Sequence, residues 1–337
     1  MRVDAAALFS GMFLVLSFFI LLAGLVLLFW SADKFVASAV AIAKQMNVPK
    51  LLIGLTVVSV GTSAPEILVT FIASMQGKSG LAFGNAIGSN IANVGLVLGM
   101  TAAIVPLPFA SSVLKFEMPW LLLATFLVAV ILTWDYELSR IDGVILFVLL
   151  AAGMYQMFRQ ARKRHELPEG LEEELQDLEE MSKRQAWVWL VVGALLLVAA
   201  AEMVVFGASF IASYFGIPDS VVGLTIVALG TSLPELAATL TAATRGHPEI
   251  AIGNVVGSNI LNILAVLPIP ALILPYALST AEVWRDLAAM IAFTVLLALF
   301  AYGVRSQKVV TRFEGSVLLL GYVGYMAIMV AQEIGTA

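Results

Sequence analysis

The sequence predicts an all-α integral membrane fold of ten transmembrane helices arranged as two inverted five-helix repeats, and three observations carry that prediction. The 337 residues are 61% hydrophobic and only 12% charged, whereas soluble globular chains are about half apolar and about a quarter charged. Apolar runs of about 20 residues recur along the whole length, each long enough to cross a hydrocarbon core of about 30 Å as a helix. The sequence also matches itself at a fixed offset of 169 residues.

The apolar runs place helices at 8–32, 50–76, 81–105, 117–134, 141–160, 185–213, 218–244, 249–275, 281–303 and 313–333. Strands are disfavoured, because the runs lack the period-two alternation of a membrane barrel. The first run, Leu8 to Trp30, is too long for a signal-peptide core and has no small-x-small cleavage site, so it is expected to remain as the first helix. With no cysteine in the chain, disulfides and thiolate metal sites are excluded. The one substantial polar stretch runs from Arg159 to Arg184. Leu171, Leu175 and Leu178 within it are spaced for one face of a short helix, and it lacks the oxygen-ligand pattern of a calcium loop. It reads as a solvated connector. The chain thus divides into an N-terminal five-helix repeat (1–160), a cytoplasmic linker (161–184) and a C-terminal inverted repeat (185–337). The net charge of −5 says little about partners, since eight of the 23 acidic residues lie in that linker.

Orientation follows from basic residues near helix ends. With the N-terminus outside, the inner side holds 13 of them, including Lys44, Lys50, Lys115, Arg245 and Arg312. The outer side holds four: Arg2, Lys78, Arg140 and Arg285. Both termini are expected outside a cell (inner) membrane, with the linker cytoplasmic.

The repeat is concentrated in two blocks. Residues 52–93 and 221–262 align without a gap and are identical at 20 of 42 positions. The identities gather in Gly61-Thr62-Ser63-x-Pro65-Glu66 and Gly84-Asn85-x-x-Gly88-Ser89-Asn90-Ile91-x-Asn93, and again at 230–235 and 253–262. The same register pairs Gly24 with Gly193 and Asp33 with Glu202. Five helices per unit is an odd number, so the second unit enters the membrane upside down, as in many secondary transporters.

These residue types suit a cation. Pro65 and Pro234 lack an N–H, free the carbonyls of Gly61 and Gly230, and bend their helices. Such breaks at membrane depth are tolerated where backbone lines a cavity. Thr62, Ser63 and Glu66 then bring hydroxyls, a carboxylate and carbonyls together, all hard oxygen donors of the kind calcium and sodium prefer. Ser89 and Asn93, four apart, share a helix face, and Gly84 and Gly88 offer a surface for close packing against the broken helix. Inversion brings Glu66 and Glu235 into one site. A carboxylate at mid-bilayer costs about 2.5–3.5 kcal/mol on insertion scales, so such residues are rarely idle. Asp33 and Glu202 lie nearer the expected helix ends and read as braces. His165 and His247 have no histidine counterpart in the other half and receive no role.

At these motifs the chain resembles the calcium/cation antiporter superfamily, specifically the bacterial and archaeal sodium/calcium exchangers related to the potassium-dependent exchangers of animals. The resemblance spans essentially the whole chain. It implies alternating access by sliding of the first and sixth helices past a fixed core, with Ca²⁺ and Na⁺ as the exchanged ions. The implied ligands are Ser59, Thr62, Ser63, Glu66, Ser89 and Asn93 in one half, and Ala228, Thr231, Ser232, Glu235, Ser258 and Asn262 in the other. Ser59 and Ala228 would act through backbone carbonyls. Two departures bear on coupling. The Gly-Asn-x-x-Glu motif of proton-coupled relatives is absent at 61–66 and 230–235, which favours sodium. Asn stands at 262, where some archaeal and the potassium-dependent members carry Asp, so one carboxylate is missing.

Proton-coupled calcium antiport is the first alternative, because two buried carboxylates can carry protons. A passive channel would line a continuous pore with polar residues, whereas polarity here clusters near mid-membrane. An enzyme would need a nucleophile with a base, or a histidine metal site, within the helices, and the helices supply neither. No cofactor and no nucleic acid is expected; the expected partners are the two ions and the lipid bilayer, with function as a monomer.

Overall fold

A computed structural model describes residues 5–46, 48–163, 181–216, 226, 228–278, 280, 283–303 and 308–336. The first helix, α1 (Ala5–Met46), is 42 residues long and runs well past the expected end at 32. The pair Asp33-Lys34 suggests a helix end, but two charged side chains do not break a helix; the next breaker is Pro49. At 1.5 Å per residue α1 is roughly 63 Å long, about twice the hydrocarbon thickness. Its counterpart in the second half, α8 (Lys183–Tyr214), begins with a capping box in which Ser182 and Gln185 satisfy each other's backbone N–H groups.

Between them lie α2 (Lys50–Thr62) and α3 (Ala64–Met75), bent 45° from each other, then α4 (Ser79–Ile104), β1 (Leu107–Pro108), α5 (Ser111–Lys115), α6 (Glu117–Trp134), β2 (Glu137–Leu138) and α7 (Arg140–Lys163). After α8 come α9 (Ala228–Thr231), α10 (Leu233–Thr244), α11 (Pro248–Ile273), β3 (Tyr276–Ala277), α12 (Val283–Tyr302), β4 (Val309–Val310) and α13 (Arg312–Thr336). Among the described residues seven helices are long and apolar enough to cross a membrane, and the bent pair α2–α3 makes an eighth. Of the remaining expected spans, 141–160 falls in α7, whose side chains beyond Gln156 lie mostly outside the described residues, and most of 217–227 lies outside them too. So does most of the linker, with His165 and its three leucines.

The two ribbons show how the halves interlock. The β1 strand pairs antiparallel with β4, and β2 with β3. Each ribbon joins a connector of one half to a connector of the other, and β1 and β3 are separated by the same 169 residues as the motifs. In the interior α11 is buried on every side from Ile250 to Leu264, as expected of a helix at the centre of a bundle. The α1 and α8 helices lie along each other, and side chains such as Phe13, Val26, Val148, Leu195 and Leu320 form an exposed apolar exterior. That exterior is the surface a bilayer covers.

Candidate cation site

Proline sets the local geometry. Pro65 and Pro234 stand in the first turn of α3 and α10, each two residues after a serine in the sparsely populated bridge region: Ser63 at φ −80°, ψ 8°, and Ser232 at φ −90°, ψ 3°. Both serines occupy the N-cap position, yet neither uses its side chain to cap. The hydroxyls are left for other partners. Ser63 Oγ donates to Glu235 Oε1 at 2.8 Å and lies 3.0 Å from Ser258 Oγ. Thr62 Oγ1 donates to Asn254 Oδ1 at 3.0 Å. A residue of the first broken helix therefore touches the carboxylate of the second, across a sequence separation of 172. The convergence of the two motifs expected from inversion is present.

Thr62, Ser63, Glu66, Asn93, Ser232, Glu235, Ser258 and Asn262 are all fully buried, and Ser89 nearly so. Thr231 is half-buried, and the side chain of Ala228 lies outside the described residues. Among the described residues neither oxygen of Glu66, nor Glu235 Oε2, nor the amide atoms of Asn93 and Asn262, nor Ser232 Oγ has a hydrogen-bond partner. Buried polar atoms are ordinarily satisfied, and a buried charge without a partner is costly. The ion pairs among the described residues, Arg245–Asp33 and Arg285–Asp286, leave both glutamates without a basic partner. No cluster of three or more His, Asp or Glu side chains occurs there either. The site thus offers two carboxylates, with hydroxyl and amide oxygens around them. Ser59 is arranged differently: its hydroxyl donates to Leu55 O at 2.8 Å, and its carbonyl already accepts from Ser63 N at 2.9 Å.

Asn93 and Asn262 each open a stretch of wider π-helical turns, Asn93–Leu98 and Asn262–Val266. Such turns interrupt regular α-helix and recur at functional sites. The amides of Asn85 and Asn254, left out of the implied ligand set, hold both broken helices in place. Asn85 Nδ2 donates to Glu66 O at 3.1 Å and to Thr70 Oγ1 at 2.9 Å. Asn254 Nδ2 donates to Glu235 O at 3.4 Å and to Thr239 Oγ1 at 2.9 Å. The same network is built twice, and its signal was available: both asparagines and both threonines recur at the offset of 169.

One expectation is corrected. Gly84 and Gly88 do not pack against the broken helix; among the described residues nothing lies within 4 Å of where their Cβ would be, and Gly84 is exposed. Their counterparts do pack. A Cβ on Gly253 would lie 2.8 Å from Leu51 O, and one on Gly257 would lie 2.6 Å from Leu55 O. So α11 is sealed against α2 on one side of the site; at the equivalent place beside α4 the counterparts of Leu51, Gly54 and Leu55, residues 220, 223 and 224, lie outside the described residues.

Asp33 is not near a helix end but well inside α1, where it pairs with Arg245 at the end of α10. That contact fits the expected brace. Glu202 is exposed within α8. His247 Nδ1 sits 3.3 Å from Lys50 Nζ. Glu117 and Asp286, a further acidic pair at the 169 offset, are both buried; Asp286 accepts from Tyr325 OH at 3.0 Å, away from the motifs.

Comparison with known proteins agrees with this arrangement. The family model described as sodium/calcium exchanger protein matches residues 16–158 and 185–331. The putative antiporter CaxA of Alkalimonas amylolytica is 43% identical over 319 residues, covering 94% of this chain and 99% of that protein. The sodium/calcium exchanger MaX1 of Methanosarcina acetivorans is 32% identical over 354 residues, covering 94% and 99%. Among solved structures, the sodium-calcium exchanger NCX_Mj soaked with 10 mM Na⁺ and zero Ca²⁺ superposes with a TM-score of 0.80 at 35% identity, covering 93% of this chain and 99% of that one. The chain is a multi-pass membrane protein that belongs to the sodium/calcium exchanger family of cation antiporters.

Proposed function

We propose that this protein exchanges Ca²⁺ for Na⁺ across the cell (inner) membrane by alternating access. The observation that carries the reading is the pair Glu66 and Glu235, fully buried and without a basic partner among the described residues, with oxygens left over for an ion. Two carboxylates supply −2, which one Ca²⁺ neutralises, and several Na⁺ ions can use the same oxygens instead. Thr62, Ser63, Ser89 and Asn93, with Thr231, Ser232, Ser258 and Asn262, complete the ligand set. The carbonyls of Ser59 and Ala228 contribute where they are released from helical hydrogen bonds. MaX1 and NCX_Mj are both named sodium/calcium exchangers, and the Thr-Ser pair before each glutamate supplies small hard donors suited to Na⁺.

The sealed α2–α11 contact fits one state of alternating access. With the N-terminus outside, it closes the cytoplasmic half, and the exposed Gly84 faces outward. Reversal would seal α4 and release α11. Either carboxylate could instead carry a proton, so the test is calcium uptake into proteoliposomes under a sodium gradient at clamped pH. Uptake that follows only a pH gradient would establish the proton-coupled alternative.

A further inference from the structure

An apolar crevice of about 600 Å³ lies between α2 and the paired helices α1 and α8. Its walls include Phe35, Ile42, Val57, Val60, Trp187 and Ala194, and it runs from near the helix ends at Met46 and Trp187 up to Gly61, next to Thr62. Thr56 is a hydroxyl-bearing residue of the wall, and its Oγ1 already donates to Leu52 O at 2.7 Å. Val60 and Trp187 are each about half exposed, so the crevice opens sideways on the apolar exterior. Its size is that of a ligand pocket. A site this apolar does not hold ordered water, which needs polar partners.

Charge at the end of the crevice selects the occupant. All three helices that form it carry basic residues at the same membrane face: Lys44 in the last turn of α1, Lys50 at the start of α2, and Lys183 and Arg184 at the start of α8. Lys183 is four residues before Trp187, hence on the same helix face. No acidic residue occurs in 34–65 or 181–201, the stretches that build the walls; of the acids that flank them, Asp33 pairs with Arg245, and Glu179 and Glu180 lie outside the described residues. Basic residues beside a groove between membrane helices attract anionic lipid headgroups. We infer that this crevice is a binding site for one anionic phospholipid, its acyl chain lying between α2 and the α1–α8 pair and its headgroup held by Lys50, Lys183 and Arg184. On the reading of the protein as an alternating-access exchanger, the chain would sit where α1 and α8 slide past α2, so occupancy would set the rate of exchange.

The test reads binding rather than transport, so its failure is distinct from a failure of the exchanger reading. Native mass spectrometry of the full chain from detergent should show phosphatidylglycerol retained over phosphatidylcholine, with K183Q and R184Q each lowering that preference about fivefold. Ala194→Trp, which fills the crevice, should remove the retained lipid while the protein stays monodisperse. As a check that needs no crevice-filling variant, phosphatidylglycerol with brominated acyl chains should quench tryptophan fluorescence more than its phosphatidylcholine analogue, and W187F should abolish the difference. Equal retention of the two lipids, retention that survives Ala194→Trp, displacement by glycerol phosphate as effective as by lipid, or equal quenching would each overturn the site.

Discussion

At Glu66 and Glu235 two carboxylates are buried with hydroxyls and amides around them, and on the proposed exchange their worth to the protein is the ion they would hold. Glu66→Gln and Glu235→Gln are each expected to lower calcium flux by at least about a hundredfold, because a buried charge-assisted pair broken on one side loses about 3–5 kcal/mol. Both variants should still fold, since glutamine keeps the shape; flux and gel-filtration profiles measured together check this, and wild-type flux in either would remove the residue from the site. The neutral Asn93 and Asn262 lead to a second expectation. With Ca²⁺ bound, the site's formal charge is zero and nothing remains to hold K⁺ beside it. Calcium flux at a fixed sodium gradient should therefore be unchanged when K⁺ is replaced by choline, and Asn262→Asp should alter the cation dependence. A flux that vanishes without K⁺ would show that counting carboxylates is insufficient. Much at this scale was legible in the sequence, because polar residues in apolar helices stand out when they recur at one offset. Asn85 and Asn254 show the limit. They were visible as repeated letters, but that their amides brace the Glu66 and Glu235 carbonyls, rather than face an ion, follows only from how α4 and α11 lie against the broken helices.

At the scale of elements, Gly253 and Gly257 seal α11 against α2, while among the described residues nothing lies within 4 Å of a Cβ on Gly84 or Gly88. A symmetric motif cannot reveal which contact is closed, because on the proposed alternating access the sequence would encode both arrangements and any one structure would hold a single one of them. Gly257→Ala should destabilise the sealed arrangement by about 1–3 kcal/mol, since its Cβ would press on Leu55 O and Ser59 Oγ. Gly88→Ala should leave thermal stability within about 1 kcal/mol or raise it through helix propensity. It should nonetheless slow exchange, because on the proposed alternating access the reversed state would close on that surface. Thermal unfolding and flux measured on both variants separate the effects; equal destabilisation would mean the two surfaces are packed alike. The length of α1 is a related case. A charged pair at 33–34 suggests an end, whereas Pro49 decides it, and the extension carries Ile42 and Met46 to the crevice.

For the whole molecule, the ribbons β1–β4 and β2–β3 tie each half to the other, so the repeats form a single unit around α11 rather than two lobes. The orientation drawn from the basic residues can be measured. Single cysteines replacing Glu172, which lies outside the described residues, and Ser139 should label from opposite sides of the membrane, with no native thiol to interfere. Labelling from one side would overturn the assignment of the 161–184 linker to the cytoplasm. The proposed exchange requires that calcium and sodium share the two-glutamate site. Its most direct test is uptake of radiolabelled calcium by proteoliposomes loaded with sodium, with buffer and protonophore holding the pH equal on both sides. Uptake should persist with the protonophore, scale with the sodium gradient and cease when sodium is equal across the membrane. Uptake that ignores sodium and stops when the pH difference is collapsed would contradict it.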